Sequence, residues 1–164
     1  MGVSKKTIQK FIDGDENATG EIFEEFKNLL FFIISSYISN IDDAKDVLSE
    51  TFIEAMEHRN EVKDPRKIKS FLSAIAKNKS INFLKKKKSE VIENIDERYA
   101  ENDKGNVLLD LFGPLLSNKE TIVLCYRAVF SYSWKEIREE TGIPESTSKL
   151  LYSRAKEKLR KELL

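Results

Sequence analysis

Apolar residues along this chain recur mostly at intervals of three and four, and no stretch sustains a two-residue alternation. That spacing buries one side of a helix, so the prediction is an all-helical protein without sheet. A short helix is expected over 4–13, carrying Ile8, Phe11 and Ile12. Ile22, Phe23, Phe26, Leu29, Leu30, Ile33 and Ile34 then predict a long helix from about Thr19 to Ile38. Asn40-Ile41-Asp42-Asp43 interrupts it, and Asp42 or Asp43 is the expected cap of a third helix reaching Glu57. On that helix Ala44, Val47, Leu48, Phe52 (with Thr51) and Ala55 turn inward, while Asp46, Glu50, Glu54 and Glu57 form an outward acidic ridge. A loop around Asp64-Pro65 leads into a fourth helix, from near Arg66 to Lys86, whose inner stripe is Ile68, Phe71, Leu72, Ile75 and Ala76.

Residues 89–106 lose this periodicity and read as a linker. Helices resume at Val107–Leu116 and Asn118–Val129. Beyond them Ser133 can cap a short helix with Trp134 and Ile137 on its apolar side. Gly142 stands where a helix ends, and Pro144 fits the start of the next. That last helix carries Thr147, Lys149, Ser153, Arg154, Lys156 and Lys158. A short helix, a glycine turn and a longer basic helix make the helix-turn-helix pattern, whose second helix enters the DNA major groove. The fold class is therefore all-α: two small helical domains, 1–88 and 107–164, joined by a flexible acidic linker over 89–106.

Charge sharpens this division. Of 164 residues, 28 are Lys or Arg and 28 Asp or Glu, yet the zero net charge is segmental. Residues 1–62 hold six basic and thirteen acidic side chains, and 63–88 hold ten and one. Residues 89–110 return to two and seven, and 111–164 hold ten and seven. Two basic blocks suit phosphates, and two acidic ones suit a basic protein surface. The lone Cys125, within an apolar run, excludes a disulfide framework and fits a reducing cytoplasm. Leu29–Ile34, the longest apolar run, is too short for membrane insertion, and no signal peptide precedes it. His58 is the only histidine, with no metal-spaced cluster or glycine-rich phosphate loop, so an enzyme and a bound cofactor are not expected.

Three stretches together resemble the sigma-70 family of RNA polymerase sigma factors, of the extracytoplasmic-function (ECF) type. Asp43-Ala-Lys-Asp-Val-Leu-Ser-Glu-Thr-Phe52 is similar to the family's Asp-Ala-Glu-Asp-Leu-Val-Gln-Glu-Thr-Phe signature. Phe71-Leu-Ser-Ala-Ile-Ala-Lys-Asn78 with Asn82-Phe-Leu-Lys-Lys-Lys-Lys88 resembles the helix that captures melted −10 DNA. The helix-turn-helix with Ser153-Arg-Ala-Lys156 resembles the module that reads the −35 element. The resemblance implies that the acidic helix binds the clamp helices of the largest subunit of core RNA polymerase, through Asp46, Glu50, Thr51, Phe52 and Glu54. It implies −10 contacts at Lys63, Arg66, Lys77, Asn78, Lys79, Asn82 and Lys85, and −35 contacts at Thr147, Lys149, Ser153, Arg154 and Lys156. Promoter DNA and core polymerase are the implied partners, with an anti-sigma factor as a third. The linker carboxylates Glu90, Glu93, Asp96, Glu97, Glu101 and Asp103 suit either a nucleic-acid mimic or a plain disordered tether.

The chain departs from the family pattern at several positions. Phe71 replaces a usual tryptophan and is read as core. Arg138 and Ser148 replace an alanine and a valine where the two motif helices cross, and are expected to compensate each other. Leu150-Leu151 replaces Ser-Arg, removing one DNA contact. The competing reading is a helix-turn-helix regulator that binds duplex DNA alone as a dimer, with residues 1–88 as a sensor or dimerisation domain.

Overall fold

The computed structural model describes residues 2–91 and 113–163; these are helices and short connections, with no strand among them. The chain falls into two compact units, Met1–Asn106 and Val107–Leu164.

The first unit holds α1 (Lys5–Ile12), α2 (Glu16–Ser35), α3 (Ile41–His58) and α4 (Ile68–Val91). Each of the first three starts on a polar cap: Ser4 accepts from the Thr7 N–H, Asp15 from Ala18 and Asn40 from Asp43. The cap of α3 is thus Asn40, not Asp42 or Asp43. Those two carboxylates lie in its first turn, where the helix dipole favours negative charge. Asp15 likewise starts α2 three residues earlier than its apolar stripe suggested. Pro65–Lys67 forms a 3-10 turn, so α4 begins at Ile68. At its other end α4 runs on to Val91, past the expected stop at Lys86. The rest of the expected linker, including Glu93, Asp96, Glu97, Glu101 and Asp103, lies outside the described residues, as do residues 107–112 of the expected helix at Val107–Leu116.

The four helices bury one side each. Phe11, Ile22, Leu30, Ile33, Ile34, Val47, Ala55, Leu72 and Ala76 close the core, and truncating a leucine there costs about 2–5 kcal/mol. Thr51 and Phe52 belong to this interior. The Thr51 hydroxyl donates to the Val47 carbonyl at 2.7 Å, and the Phe52 ring stands edge-on to Phe23 at 4.8 Å.

In the second unit residues 113–116 form a turn into α5 (Asn118–Leu124), which widens into a π turn at Cys125–Val129. The single helix expected through Val129 is therefore two pieces. Phe130 N–H bonds back to Cys125 O, Tyr132 N–H to Tyr126 O, and Arg127 Nη1 donates to Tyr132 O at 2.8 Å. The helix-turn-helix follows as α6 (Trp134–Thr141) and α7 (Glu145–Leu163). Ser117 and Ser133 start α5 and α6 with capping boxes completed by Glu120 and Glu136. Gly142 ends α6 at φ +75°, returning its N–H to Arg138 O. A side chain in that left-handed position costs about 1–2 kcal/mol. Pro144 sits one residue outside α7, its carbonyl accepting from Ser148 N–H.

Leu116, Leu124 and Ala155 centre the second core, with Leu115, Tyr152 and Leu159 around them. Glu120 is buried yet charged: Lys158 Nζ lies 2.9 and 3.1 Å from its two oxygens, and Ser117 N–H donates to it at 3.0 Å. Burial pushes its pKa up, but the hydrogen bonds from Lys158 and Ser117 outweigh burial and hold it below the ordinary glutamate value. Ser148 is fully enclosed, and its hydroxyl has no partner. Arg138, the other residue expected at the crossing, is exposed, and its carbonyl accepts from Gly142 N–H.

Two stability outcomes follow. Ser148→Ala removes an unsatisfied buried hydroxyl and should raise the melting temperature by a few degrees, whereas Ser148→Val, which adds volume to an enclosed site, should lower it; thermal melts followed by circular dichroism check both. A lowered folded-state pKa gives stability that is fully present above the unfolded value of 4.5 and lost as pH falls through the folded one. Glu120→Gln should thus cost about 1–2 kcal/mol at pH 7, and the gap between wild type and variant should close on acidification below pH 4.5.

Candidate polymerase and nucleic-acid interfaces

Helix α3 separates its two sides by period alone. Asp46, Glu50 and Glu57 are exposed and Glu54 is half-buried, while Thr51 and Phe52 are inside. At about 100° per residue the last two fall with Val47 and Ala55, so of the expected contact set their side chains belong to the interior and not to the outer face of the helix. In exchange the ridge contains two apolar side chains that sequence reasoning passed over. Ile53 is 51% exposed and lies between Asp46 and Glu57 on the helix surface, with exposed Met56 beside it. Their signal was available in the sequence as apolar residues out of phase with the inner stripe.

Helix α4 packs beside α3 and carries the expected strand contacts. Asn78, Asn82 and Lys85, at i, i+4 and i+7, share one exposed strip, with Lys77 half-buried at its flank. Lys79 leans the other way, its ammonium 3.2 Å from Glu54, and Lys87 lies 3.8 Å from Asp43. The structure thus joins Lys79 to the acidic ridge rather than to the Asn78 strip.

Between α3 and α4 the connecting loop opens a cleft of about 460 Å³, lined by Val62, Lys63, Asp64, Lys67, Ser70 and Phe71 among others. Phe71, expected in the core, is half-buried and forms one wall. Lys63 donates to Asn60 O at 3.1 Å. Arg66 forks onto Asp64, its Nε and Nη2 within 3.2 Å of the carboxylate. The Arg66 hydrogen bond, with its backbone N–H, holds the Asp64 carboxyl below its ordinary pKa, and Asp64 in turn raises that of Arg66. Neither group is buried, so an incoming phosphate can exchange for Asp64.

In the second unit Thr147, Lys149, Ser153, Arg154 and Lys156 are all exposed, while Ser148 and Ala155 face inward. A chain of rings and cations braces this face. Arg127 lies 4.7 Å over the Trp134 ring, Trp134 meets Tyr152 edge-on at 5.5 Å, and Lys156 lies 4.6 Å over Tyr152. Within the turn the Thr141 hydroxyl donates to Ile137 O and accepts from Ile143 N–H. Lys158, part of the basic pattern in the sequence, is instead committed to Glu120.

The Cys125 thiol is buried and pushed up to about 11, which keeps it protonated at neutral pH. Among the described residues no three His, Cys, Asp or Glu side chains converge as metal ligands, and no helix is long and apolar enough to cross a membrane.

Residues 22–90 match the family described as Sigma-70 region 2. The ECF RNA polymerase sigma factor SigW of Bacillus subtilis (strain 168) is 26% identical, the match covering 97% of this chain and 96% of that one. RNA polymerase sigma factor SigV of the same organism is 30% identical, with 85% of each chain covered. Among solved structures, CnrH in complex with the cytosolic domain of CnrY shares the fold with a TM-score of 0.58 at 18% identity, across 97% of this chain and 96% of the other. With a signature helix, a basic helix and a helix-turn-helix in that order, and relatives aligned along nearly its whole length, the chain belongs to the ECF group of the sigma-70 family of RNA polymerase sigma factors.

Proposed function

We propose that this sigma factor acts through three surfaces. The ridge of α3 (Asp46, Glu50 and Glu54, with Ile53 and Met56 along one edge) docks on the clamp helices of the largest polymerase subunit. Carboxylates steer and orient such an encounter, and desolvated apolar side chains supply its affinity. The strip Asn78, Asn82 and Lys85, with Lys77, Lys63 and Arg66, takes the melted −10 strand. Opening DNA requires a cationic track and a pocket for an unstacked base, and the cleft beside Phe71 offers a ring wall next to Lys63 and Lys67. Lys79 joins this track only by exchanging Glu54 for phosphate. The exposed side of α7 reads the −35 duplex, with Arg154 or Lys149 on guanine and Thr147 on backbone phosphate.

The observation that carries this reading is the ridge itself: acids around an exposed isoleucine, directly beside a helix of opposite charge. A regulator that binds duplex DNA alone has no use for that combination. A cytoplasmic location follows from the role, and so does an anti-sigma factor as a third partner. CnrH, which shares the fold, was solved with another protein's cytosolic domain bound.

Run-off transcription with purified core polymerase on fragmented host DNA tests the reading, and discrete transcripts that depend on this chain are expected. Ile53→Lys should abolish capture of core polymerase while leaving the melting temperature unchanged, as measured by pull-down and thermal melts. Arg154→Ala should leave core capture intact and weaken promoter binding by about 1–3 kcal/mol in a gel-shift titration at fixed salt. Loss of core capture in Arg154→Ala contradicts the assigned role.

A further inference from the structure

Leu150 is 50% exposed at the middle of the face that α7 turns away from its own core. Helical geometry sets it opposite buried Ser148 and Ala155 and beside exposed Thr147, Ser153 and Arg154. Ser146 and Glu157 lie along the same face, and Glu157 is engaged by Lys161 at 3.5 Å. A single exposed leucine ordinarily needs no explanation. This one is surrounded by the side chains that the proposed reading places against DNA. The other strongly exposed apolar residue of α7, Leu163, lies at the far end of the helix.

A leucine cannot hydrogen-bond a base edge. The apolar feature of the major groove is the 5-methyl group of thymine, which side chains of this kind contact. We propose that Leu150 is a specificity-determining residue that packs on a thymine methyl in the duplex element read by α7; the inference rests on the proposed role of that helix. Arg154 lies one turn along. A helical turn of about 5.4 Å spans one to two base steps of about 3.4 Å, which puts the thymine within two base pairs of the one Arg154 contacts. The polar side chains around Leu150 fix orientation on the phosphates and on guanine, and the leucine selects among the remaining bases by shape.

The probe is duplex DNA. Holoenzyme assembled from the full chain and core polymerase selects from promoter fragments with a randomised upstream window. The recovered sequences are then resynthesised with deoxyuridine in place of one thymidine at a time, which keeps base pairing and removes only the methyl. At one position wild type is expected to lose about fourfold in affinity, the factor that one buried methyl contributes. Leu150→Ser is expected to show no loss there, with unchanged core capture and melting temperature. A penalty below about threefold at every position overturns the assignment, and so does an equal penalty in Leu150→Ser. Loss of core capture in Leu150→Ser also overturns it, by placing the leucine in a protein contact. Arg154→Ala separates the two levels. If it leaves upstream selection unchanged, the reading of α7 itself fails, whereas a normal Arg154 effect without a methyl effect removes only the role of Leu150.

Discussion

Helices α3 and α4 must bury their apolar stripes against a common core, and that requirement brings their opposite charges together at one seam. Glu54 meets Lys79 and Asp43 meets Lys87, with all four side chains partly exposed. Pairs of this kind contribute about 0–1 kcal/mol each, so they do not hold the helices together. Burial of Phe52, Ala55, Leu72 and Ala76 does that. What the seam determines is adjacency: the ridge proposed for polymerase and the strip proposed for single-stranded DNA cannot move independently. A protein docked on Glu54 competes with Lys79 for the same carboxylate, so the two surfaces are electrostatically linked through one residue pair.

The second unit meets a different constraint. It is small, and α7 has to present a straight polar face while its inner side packs on α5 and α6. Glu120 serves two ends at once, closing the capping box of α5 and accepting from Lys158 on α7. That pair ties the start of one helix to the later turns of another, 38 residues away. Gly142 sets the turn from α6 to α7, and the Arg127–Trp134–Tyr152–Lys156 stack fixes the side of α7 nearest α6. The outward residues Thr147, Ser153 and Arg154 are left on a braced cylinder, as direct readout of base edges requires.

Periodicity made the helices legible, because burial acts on whole turns and a stripe such as Ile22, Leu29, Leu30, Ile33 and Ile34 admits one reading. Helix starts were less so. Asp15 and Asn40 win their caps through single hydrogen bonds that neighbouring polar residues, such as Asp42 and Asp43, are equally able to make. The π turn at Cys125–Val129 was invisible, since its apolar residues continue the helical pattern and the extra residue per turn leaves no compositional trace. Lys149, Arg154 and Lys156 of α7 are exposed, as the pattern had them. Thr51 and Phe52 are buried, as their spacing predicts, although the family motif lists them beside the exposed acids, because such a motif mixes residues that build a surface with residues that form it. The cleft beside Phe71 comes from three-dimensional juxtaposition, which no linear spacing encodes, whereas Ile53 and Met56 were legible as apolar residues out of phase with the inner stripe of α3.

The electrostatics also bear on why a factor of this kind works on an enzyme rather than alone. The chain has no net charge, with 28 basic and 28 acidic residues. Beyond a screening length of about 8 Å at physiological salt, little of its field favours DNA. Within the first unit Lys79 and Lys87 already face carboxylates, and Arg66 is forked onto Asp64. Non-specific affinity grows with the number of phosphates neutralised, and each cation engaged internally must exchange its carboxylate before it counts toward that number. On the proposed reading, polymerase supplies what the chain lacks by holding both units near one DNA. The second contact then becomes intramolecular, and modest local affinities combine at high effective concentration. On the same reading, DNA binding by the isolated chain is expected to be weak, which leaves promoter choice to the assembled enzyme.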